Sequence, residues 1–255
     1  MLDFPGEIGA VPIVSGTAAK LAFRIVREET AVNVGPSCIS MTYESFGDPA
    51  DPPVLLIMGG NAQMIHWPAG FCSELIARGL HVIRFDNRDA GRSTHFRDAA
   101  EPDFLAAYAG DFSSVSYTLA DMADDTVGLL DVLGIGSAHL VGQSMGGMIA
   151  QAIAIEHPAR VRSLTSISSN TGDPTVGQVP AYGDRTEKLR QLRVPTLVMH
   201  GAADPSIEGG RATAAAIPDS KLVIFEGMGH NLPRELWSTI AGHIAELVHS
   251  AEKPT

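Results

Sequence analysis

A serine lies between two glycines in the segment Gly142-Gln143-Ser144-Met145-Gly146, after one short apolar run and before a long apolar helical pattern. This order predicts a tight strand–turn–helix connection, whose flanking positions must lack side-chain bulk and whose serine oxygen stands above the end of the strand. Gly-x-Ser-x-Gly alone is weak evidence in a chain with 26 glycines, and a glycine-rich connection with a capping serine is the alternative. In this context we interpret Ser144 as a nucleophile, because the positive end of the following helix favours an oxyanion.

A serine hydroxyl needs a base within hydrogen-bond reach to attack at neutral pH. His230 is one of nine histidines, and it follows an apolar run and the glycines Gly227 and Gly229. Such a loop can bring an imidazole over the carboxyl edge of a parallel sheet, where active sites gather. The other histidines fall where structural roles are expected, including His200 at the end of another predicted strand. We therefore interpret His230 as the general base.

The acid that orients the base is expected after a strand between the serine and the histidine. Asp204 follows the apolar run at 196–199 and a glycine-containing turn, and Pro205 comes next. A carboxylate there can hold the imidazole in the useful tautomer and stabilise the imidazolium. A turn aspartate before proline is the alternative. The chain order Ser144, Asp204, His230 favours the catalytic interpretation.

Short apolar runs alternate with longer helical patterns from about residue 50 to residue 250. They predict strands at 54–58, 81–85, 138–141, 161–167, 196–199 and 222–225 and helices at 64–78, 119–133, 145–156 and 233–249. Strands that are apolar on both faces, with helices between them, predict a mostly parallel sheet with right-handed crossovers. Residues 38–45 alternate between apolar and polar types, which predicts an antiparallel edge strand. The predicted fold class is therefore α/β.

Together these motifs resemble the α/β-hydrolase superfamily. Within it, the chain is similar to the aclacinomycin methylesterase-like branch of bacterial carboxylesterases at residues 56–61, 81–94 and 227–233. The resemblance covers about residues 40–250. It implies an α/β-hydrolase fold, a small-molecule ester as substrate and hydrolysis through an acyl-enzyme, with no metal or organic cofactor. Ester choice varies within the family, so the fold does not identify the ester.

The resemblance also assigns an oxyanion hole. Met58-Gly59-Gly60-Asn61 resembles the family's His-Gly-X loop, with methionine in the histidine position. The expected donors are the backbone N–H groups of Gly60 and of Met145, the residue after the nucleophile. A glycine turn without a catalytic role is the alternative for Gly60.

Three residues near this loop are predicted substrate contacts. They are Asn61 in the loop itself and His66 and Trp67 in the helix expected after it, for which packing of the helix face is the alternative. The signature Asp86-x-Arg88-x-x-Gly91-x-Ser93 is expected to form a structural loop near the site and not to supply a catalytic group.

Relatives usually insert a helical cap between the strands equivalent to 161–167 and 196–199. Here only residues 168–195 join these strands, which predicts one helical segment at 185–192 and a cap that is absent or minimal. The site would then be open and would favour bulky or varied esters. Residues 1–36 are expected to be an N-terminal extension of uncertain packing, followed by a single core domain at 37–255. We hypothesise that the extension partly replaces the cap or reaches a neighbouring subunit.

The composition excludes several classes of partner. The formal net charge is −11 with no basic run, whereas nucleic-acid binding needs clustered lysine and arginine. No stretch reaches the roughly 18 apolar residues of a membrane span. The N-terminus lacks a secretory pattern, so the expected location is the cytoplasm, with a homo-oligomer left open. The two cysteines lack the spacings of a zinc site.

Other activities use the same three residues. A thioesterase, lactonase, carbon–carbon bond hydrolase, perhydrolase or acyltransferase can carry this triad, and the sequence does not separate them. Haloalkane dehalogenases and epoxide hydrolases of this fold have a carboxylate where Ser144 stands. A small-molecule receptor that retains the triad is the alternative outside the enzymes.

Overall fold

The computed structural model describes residues 28–98, 103, 105–106, 111, 113–176 and 182–253. Within them, an eight-stranded sheet runs through the protein in the order β1-β2-β4-β3-β5-β6-β7-β8. The strands are β1 Glu29–Val34, β2 Ile39–Phe46, β3 Pro53–Ile57, β4 His81–Phe85, β5 Ala138–Gln143, β6 Val161–Ile167, β7 Thr196–Gly201 and β8 Lys221–Phe225. All neighbouring pairs from β4 to β8 are parallel, so the carboxyl ends of these strands lie at one edge.

The two remaining strands are antiparallel, and one of them corrects the sequence prediction. β2 is antiparallel as expected and pairs with β4, but it also pairs with β1 on its other side and is therefore not the edge strand. β1 buries Ala31 and Val34 in the core. The end of the predicted N-terminal extension thus belongs to the sheet. Residues 1–27, on which the rest of that hypothesis depends, lie outside the described residues.

Helices cover both faces of the sheet. They are α1 Ala69–Ile76, α2 Leu119–Val132, α3 Met145–Glu156, α4 Thr186–Leu189, α5 Ile207–Ala216 and α6 Trp237–Ala251. α2 and α3 pack together over one apolar cluster, and α1 and α6 pack together over a second one on the opposite face. The strands β3 to β7 are almost fully buried, because the helices remove the apolar side chains on both faces of the sheet from water. The predicted α/β architecture, a mostly parallel sheet with helices on both faces, is confirmed.

Two helices differ from the prediction. The helix expected at 64–78 is a 3₁₀ turn at Met64–His66, followed after Pro68 by α1. Proline disfavours helical geometry in the residue before it, so the pattern cannot continue through Trp67. α5 was not predicted, because its glycines and small residues give it little apolar periodicity.

The connection between β6 and β7 carries no multi-helix cap among residues 168–176 and 182–195. It contains a 3₁₀ turn at Pro174–Val176 and the four-residue helix α4, which is shorter than the segment expected at 185–192. The buried guanidinium of Arg185 holds this connection to the core, because it donates to Oε1 of Gln151 and to the carbonyl of Asn170. The prediction of a minimal cap is confirmed for this part of the chain.

Across the residues that the structure describes, no helix has the length and apolar character needed to cross a membrane.

Candidate active site

Ser144 lies in a strained turn between β5 and α3. Its backbone has φ 56° and ψ −124°, a combination that side-chain-bearing residues rarely adopt. Its N–H donates to the carbonyl of Ile167 at 2.9 Å, which ties the turn to the end of β6. The chain enters α3 at the next residue, so the serine stands at the helix N-terminus above the carboxyl edge of the sheet. The predicted strand–turn–helix geometry is present.

The glycines around the serine are required by close backbone contacts. A Cβ atom on Gly142 would lie 2.2 Å from the carbonyl oxygen of Gly146, across the turn itself. A Cβ atom on Gly146 would lie 2.1 Å from the carbonyl oxygen of Ile57 at the end of β3. Backbone atoms cannot swing aside as the tip of a side chain can. The turn is therefore pressed against the neighbouring strand, which explains the Gly-x-Ser-x-Gly pattern.

The histidine and the aspartate predicted from the sequence form a hydrogen-bonded pair. Nδ1 of His230 lies 2.8 Å from Oδ2 of Asp204. The aspartate side chain is 3% exposed, whereas the histidine side chain is 46% exposed. Because a carboxylate only accepts hydrogen bonds, the proton of the neutral imidazole belongs on Nδ1. The other ring nitrogen, Nε2, then keeps a free lone pair and can act as a base.

Hydrogen bonds keep the Asp204 carboxyl ionised. Burial raises its pKa, but the N–H and Oγ–H groups of Ser206 donate to Oδ1 at 2.9 and 2.7 Å, and His230 contacts the other oxygen. These contacts outweigh burial, so the pKa lies below its ordinary value. The acid is therefore negatively charged at neutral pH, as the orientation of the imidazole requires.

Two hydrogen bonds join the loop that carries His230 (the base loop) to the nucleophile turn and to the loop that carries Asp204 (the acid loop). Nε2 of Gln143, the residue before the serine, donates to the carbonyl of His230 at 2.9 Å. The N–H of Ala203 donates to the carbonyl of Met228 at 2.9 Å, which joins the acid loop to the base loop. Gln143 was not singled out from the sequence. Its position next to the nucleophile does not by itself predict this hydrogen bond, because the acceptor lies on the loop of His230, far away in the sequence.

The loop after β3 passes directly beside the serine. A Cβ atom on Gly59 would lie 2.9 Å from Cβ of Ser144, and one on Gly60 would lie 3.7 Å from Sδ of Met145. The first N–H groups of α3 have no acceptor within the helix. The structure thus brings the loop of the predicted donor Gly60 next to the residue that carries the other predicted donor, Met145.

The Asp86-x-Arg88-x-x-Gly91-x-Ser93 segment supports this loop. Oδ1 of Asp86 accepts from the N–H of Met64 at 2.7 Å. Nδ2 of Asn87 donates to the carbonyl of Met58 at 2.9 Å. The loop after β3 is therefore held at both ends, at Met58 and at Met64, from the carboxyl end of β4, which gives a physical basis for the structural role expected of this signature.

The predicted substrate contacts separate into two groups. Asn61 and His66 are exposed on the loop after β3 and remain predictions. Trp67 is 0% exposed and stacks on Phe71 of α1 with ring centroids 5.5 Å apart. Trp67 therefore packs in the core, which was the alternative to a substrate contact, because the bend at Pro68 turns the indole inwards. We therefore do not include Trp67 in the site.

Sequence reasoning also missed the contacts that two polar residues make with the acid. Ser206 supplies two hydrogen bonds to Asp204, and His200 lies beside the same carboxylate. The Asp-x-Ser spacing is a turn signal that could have identified the first of these. Among the described residues, no group of three or more histidine, cysteine, aspartate or glutamate side chains is arranged to hold a metal ion.

Comparison with known proteins gives matches across this region. The family model described as alpha/beta hydrolase fold matches residues 52–186, more than half of the chain. Rhodomycin D methylesterase from Streptomyces peucetius is 38% identical over 172 residues, covering 62% of this chain and 53% of that protein. The rhodomycin D methylesterase of Streptomyces sp. (strain C5) is 38% identical over 127 residues, covering 50% of this chain and 38% of that protein. The matches thus span between 38% and 53% of these two relatives.

A solved structure supports the fold over a longer range. A thermophilic esterase from Thermogutta terrifontis matches with a TM-score of 0.70 over 89% of this chain and 100% of that chain. The sequence identity is 22%, so this likeness concerns the fold alone.

Proposed function

The chain belongs to the alpha/beta hydrolase fold family, and on this premise we propose that it hydrolyses carboxylic esters through an acyl-enzyme formed on Ser144. The observation that carries the proposal is the 2.8 Å contact between His230 and the buried Asp204. Gln143 bonds the loop of His230 to the turn that holds the serine, and Ala203 bonds the loop of Asp204 to the loop of His230. An activated nucleophile requires this arrangement of a base oriented by an acid.

In the first half of the reaction, Ser144 Oγ attacks the ester carbonyl and its proton passes to Nε2 of His230. Asp204 stabilises the imidazolium that forms. The carbonyl oxygen becomes an oxyanion, which the N–H groups of Met145 and Gly60 stabilise at the helix N-terminus. The imidazolium then gives its proton to the departing alcohol, and the acyl group remains on the serine oxygen.

In the second half, water attacks the acyl-enzyme. His230 removes a proton from the water and a second oxyanion forms in the same place. The oxyanion collapses and releases the carboxylic acid, while His230 returns the proton to Oγ of Ser144. The proton and the leaving group are balanced over the two halves. The mechanism requires no redox step.

The short connection between β6 and β7 favours a substrate ester whose acyl group is bulky. A large cap would close over the acyl group, whereas α4 and the neighbouring turn leave little protein to do so among the described residues. The two similar proteins are named rhodomycin D methylesterases, and a methylesterase releases methanol, a small alcohol. A small alcohol on a large acid is therefore the substrate class that we propose.

The proposal predicts a burst of product in a rapid-mixing experiment. With excess p-nitrophenyl butyrate, the protein should release about one equivalent of p-nitrophenol per chain before slower turnover, if deacylation limits the rate. Ser144→Ala should lose the burst and lower kcat by about 10⁵- to 10⁶-fold. Ser73→Ala is the matched control and should behave like the unsubstituted protein, because the Ser73 hydroxyl is half-buried in α1 and donates to the carbonyl of Ala69 in the same helix.

Two results would contradict the proposal. One is a Ser144→Ala variant that retains hydrolysis. The other is Ser144-dependent turnover of thioester or lactone substrates with p-nitrophenyl and methyl esters left intact.

A further inference from the structure

A second imidazole lies against the acid of the candidate triad. His200, near the end of β7, is 0% exposed. Its Nε2 lies 3.2 Å from Oδ2 of Asp204, the oxygen that His230 contacts at 2.8 Å. The same Nε2 is within hydrogen-bond distance of Oγ of Ser206, at 3.3 Å. One oxygen of the carboxylate therefore lies between two imidazoles.

The surroundings of His200 define its protonation. Burial lowers its pKa, and the nearby carboxylate of Asp204 opposes this effect without reversing it, while His230 lowers the pKa further. The ring is therefore neutral at pH 7 and carries one hydrogen. Nε2 faces a carboxylate oxygen and a hydroxyl oxygen, whereas Nδ1 is buried and has no hydrogen-bond partner among the described residues. The hydrogen thus belongs on Nε2, which makes the residue a neutral donor.

The position of the ring is fixed from the other side by α5. A Cβ atom on Gly210 would lie 2.3 Å from Nδ1 and 2.9 Å from Cγ of His200. Only glycine fits where the helix crosses the ring. The imidazole is therefore confined between α5 and the carboxylate, and it cannot move away from Asp204 without displacing the helix.

Ser206 extends the same support to the second carboxylate oxygen. The one hydrogen on Nε2 of His200 is shared between Oδ2 of Asp204 at 3.2 Å and Oγ of Ser206 at 3.3 Å, while the hydrogen of Ser206 goes to Oδ1 of Asp204 at 2.7 Å. The carboxylate is thus held at Oδ1 by Ser206, and at Oδ2 it faces both rings. This leaves it one orientation, with Oδ2 directed at Nδ1 of His230.

We propose that His200 is a positioning residue for the reaction: its neutral N–H holds the Asp204 carboxylate in register with His230 and takes up part of the negative charge on Oδ2. The inference rests on the function proposed above. It has a geometric consequence, because a loose acid would leave the base misaligned. It also has an electrostatic consequence, because a carboxylate with one donor fewer attracts the proton on His230 more strongly.

Replacing His200 with leucine tests both consequences in the full-length protein. The expected kcat falls about tenfold, as for the loss of one hydrogen bond to a charged group, and KM for p-nitrophenyl butyrate changes less than about twofold. The acid limb of the pH profile of kcat/KM should shift to higher pH by about 0.5 unit, because the base holds its proton more tightly. His200→Gln keeps a donor near Nε2 and should restore most of kcat and the original profile.

His139→Leu is the matched control for a buried histidine. His139 is also 0% exposed, and its Nδ1 contacts Oγ of Ser163 at 2.8 Å at the start of β5, at the other end of the sheet. Its loss should lower the free energy of unfolding and leave the pH profile of kcat/KM unchanged. If the effect of His200→Leu came only from a weakened core, His139→Leu would change the pH profile of kcat/KM in the same way.

A second variant moves the ring without removing it. Gly210→Ala places a methyl group against Nδ1 and should shift the acid limb in the same direction as His200→Leu. Gly242→Ala in α6 has no atom within 4 Å of the added Cβ and should leave the profile unchanged. This pair keeps the inference testable if His200→Leu does not fold.

The outcomes separate this inference from the proposed function. Absence of Ser144-dependent hydrolysis in the unsubstituted protein would overturn both. Normal hydrolysis, with His200→Leu and Gly210→Ala matching the unsubstituted protein in kcat and in pH profile, would overturn the positioning role alone. A kcat for His200→Gln as low as that for His200→Leu would also overturn it, because the effect would not come from the donor.

Discussion

Asp204→Asn is expected to lower kcat for ester hydrolysis by about 10³- to 10⁴-fold while the protein stays folded. The amide can still accept from Ser206, so the local turn is retained. It no longer carries the negative charge that stabilises the imidazolium. Its NH₂ group, if turned towards Nδ1 of His230, would favour the tautomer with hydrogen on Nε2, which cannot take the serine proton. Steady-state hydrolysis of p-nitrophenyl butyrate measures the effect.

Asp219→Asn is the matched control, because Asp219 is an exposed turn residue with φ 56°, a conformation that asparagine tolerates. It should retain full activity and the same melting temperature. If Asp204→Asn were as active as this control, Asp204 would be only a turn residue and the orienting acid would have to be sought elsewhere.

Gly146→Ala is expected to have the largest effect on stability, a loss of about 3 kcal/mol or more in the free energy of unfolding. The added Cβ would lie 2.1 Å from the carbonyl oxygen of Ile57 and 2.9 Å from that of Met58. The methyl group would therefore force α3 away from β3 and from the loop that follows it. Urea unfolding followed by circular dichroism measures the change, and activity should fall with it.

Gly242→Ala again provides the comparison, since it lies inside α6 with open space at the added Cβ. Alanine is a better helix former than glycine by about 1 kcal/mol, so this variant should be as stable as the unsubstituted protein or more so. Equal stability of the two alanine variants would show that the contact between β3 and the nucleophile turn is looser than the structure indicates.

The core of the fold and the candidate triad were predictable because their signals are local. Short runs that are apolar on both faces indicate buried parallel strands, and the bounds at His81–Phe85 and Val161–Ile167 agree with the structure. The nucleophile turn has a five-residue pattern, and close contacts explain its two glycines. Gly142 lies against Gly146 within the turn, and Gly146 lies against the end of the neighbouring strand β3. The family match confirms the resemblance inferred from these motifs.

The features that the sequence did not predict depend on contacts between distant segments. α5 contains Gly209 and Gly210, which weaken a helical pattern, and the second is explained only by the ring of His200 against it. The environment of Trp67 depends on the bend at Pro68 and on Phe71. β1 was not predicted, because it is six residues long and only Ala31 and Val34 are buried, so its sequence lacks the alternation of a strand.

Covalent labelling tests the central claim most directly. The protein is incubated with a fluorophosphonate, which reacts with an activated serine, and intact mass spectrometry and peptide mapping follow. The account predicts one adduct per chain, on Ser144, much slower labelling of His230→Ala and none at this position in Ser144→Ala. An unlabelled wild-type protein, or an adduct on another residue that Ser144→Ala acquires equally fast, would contradict it.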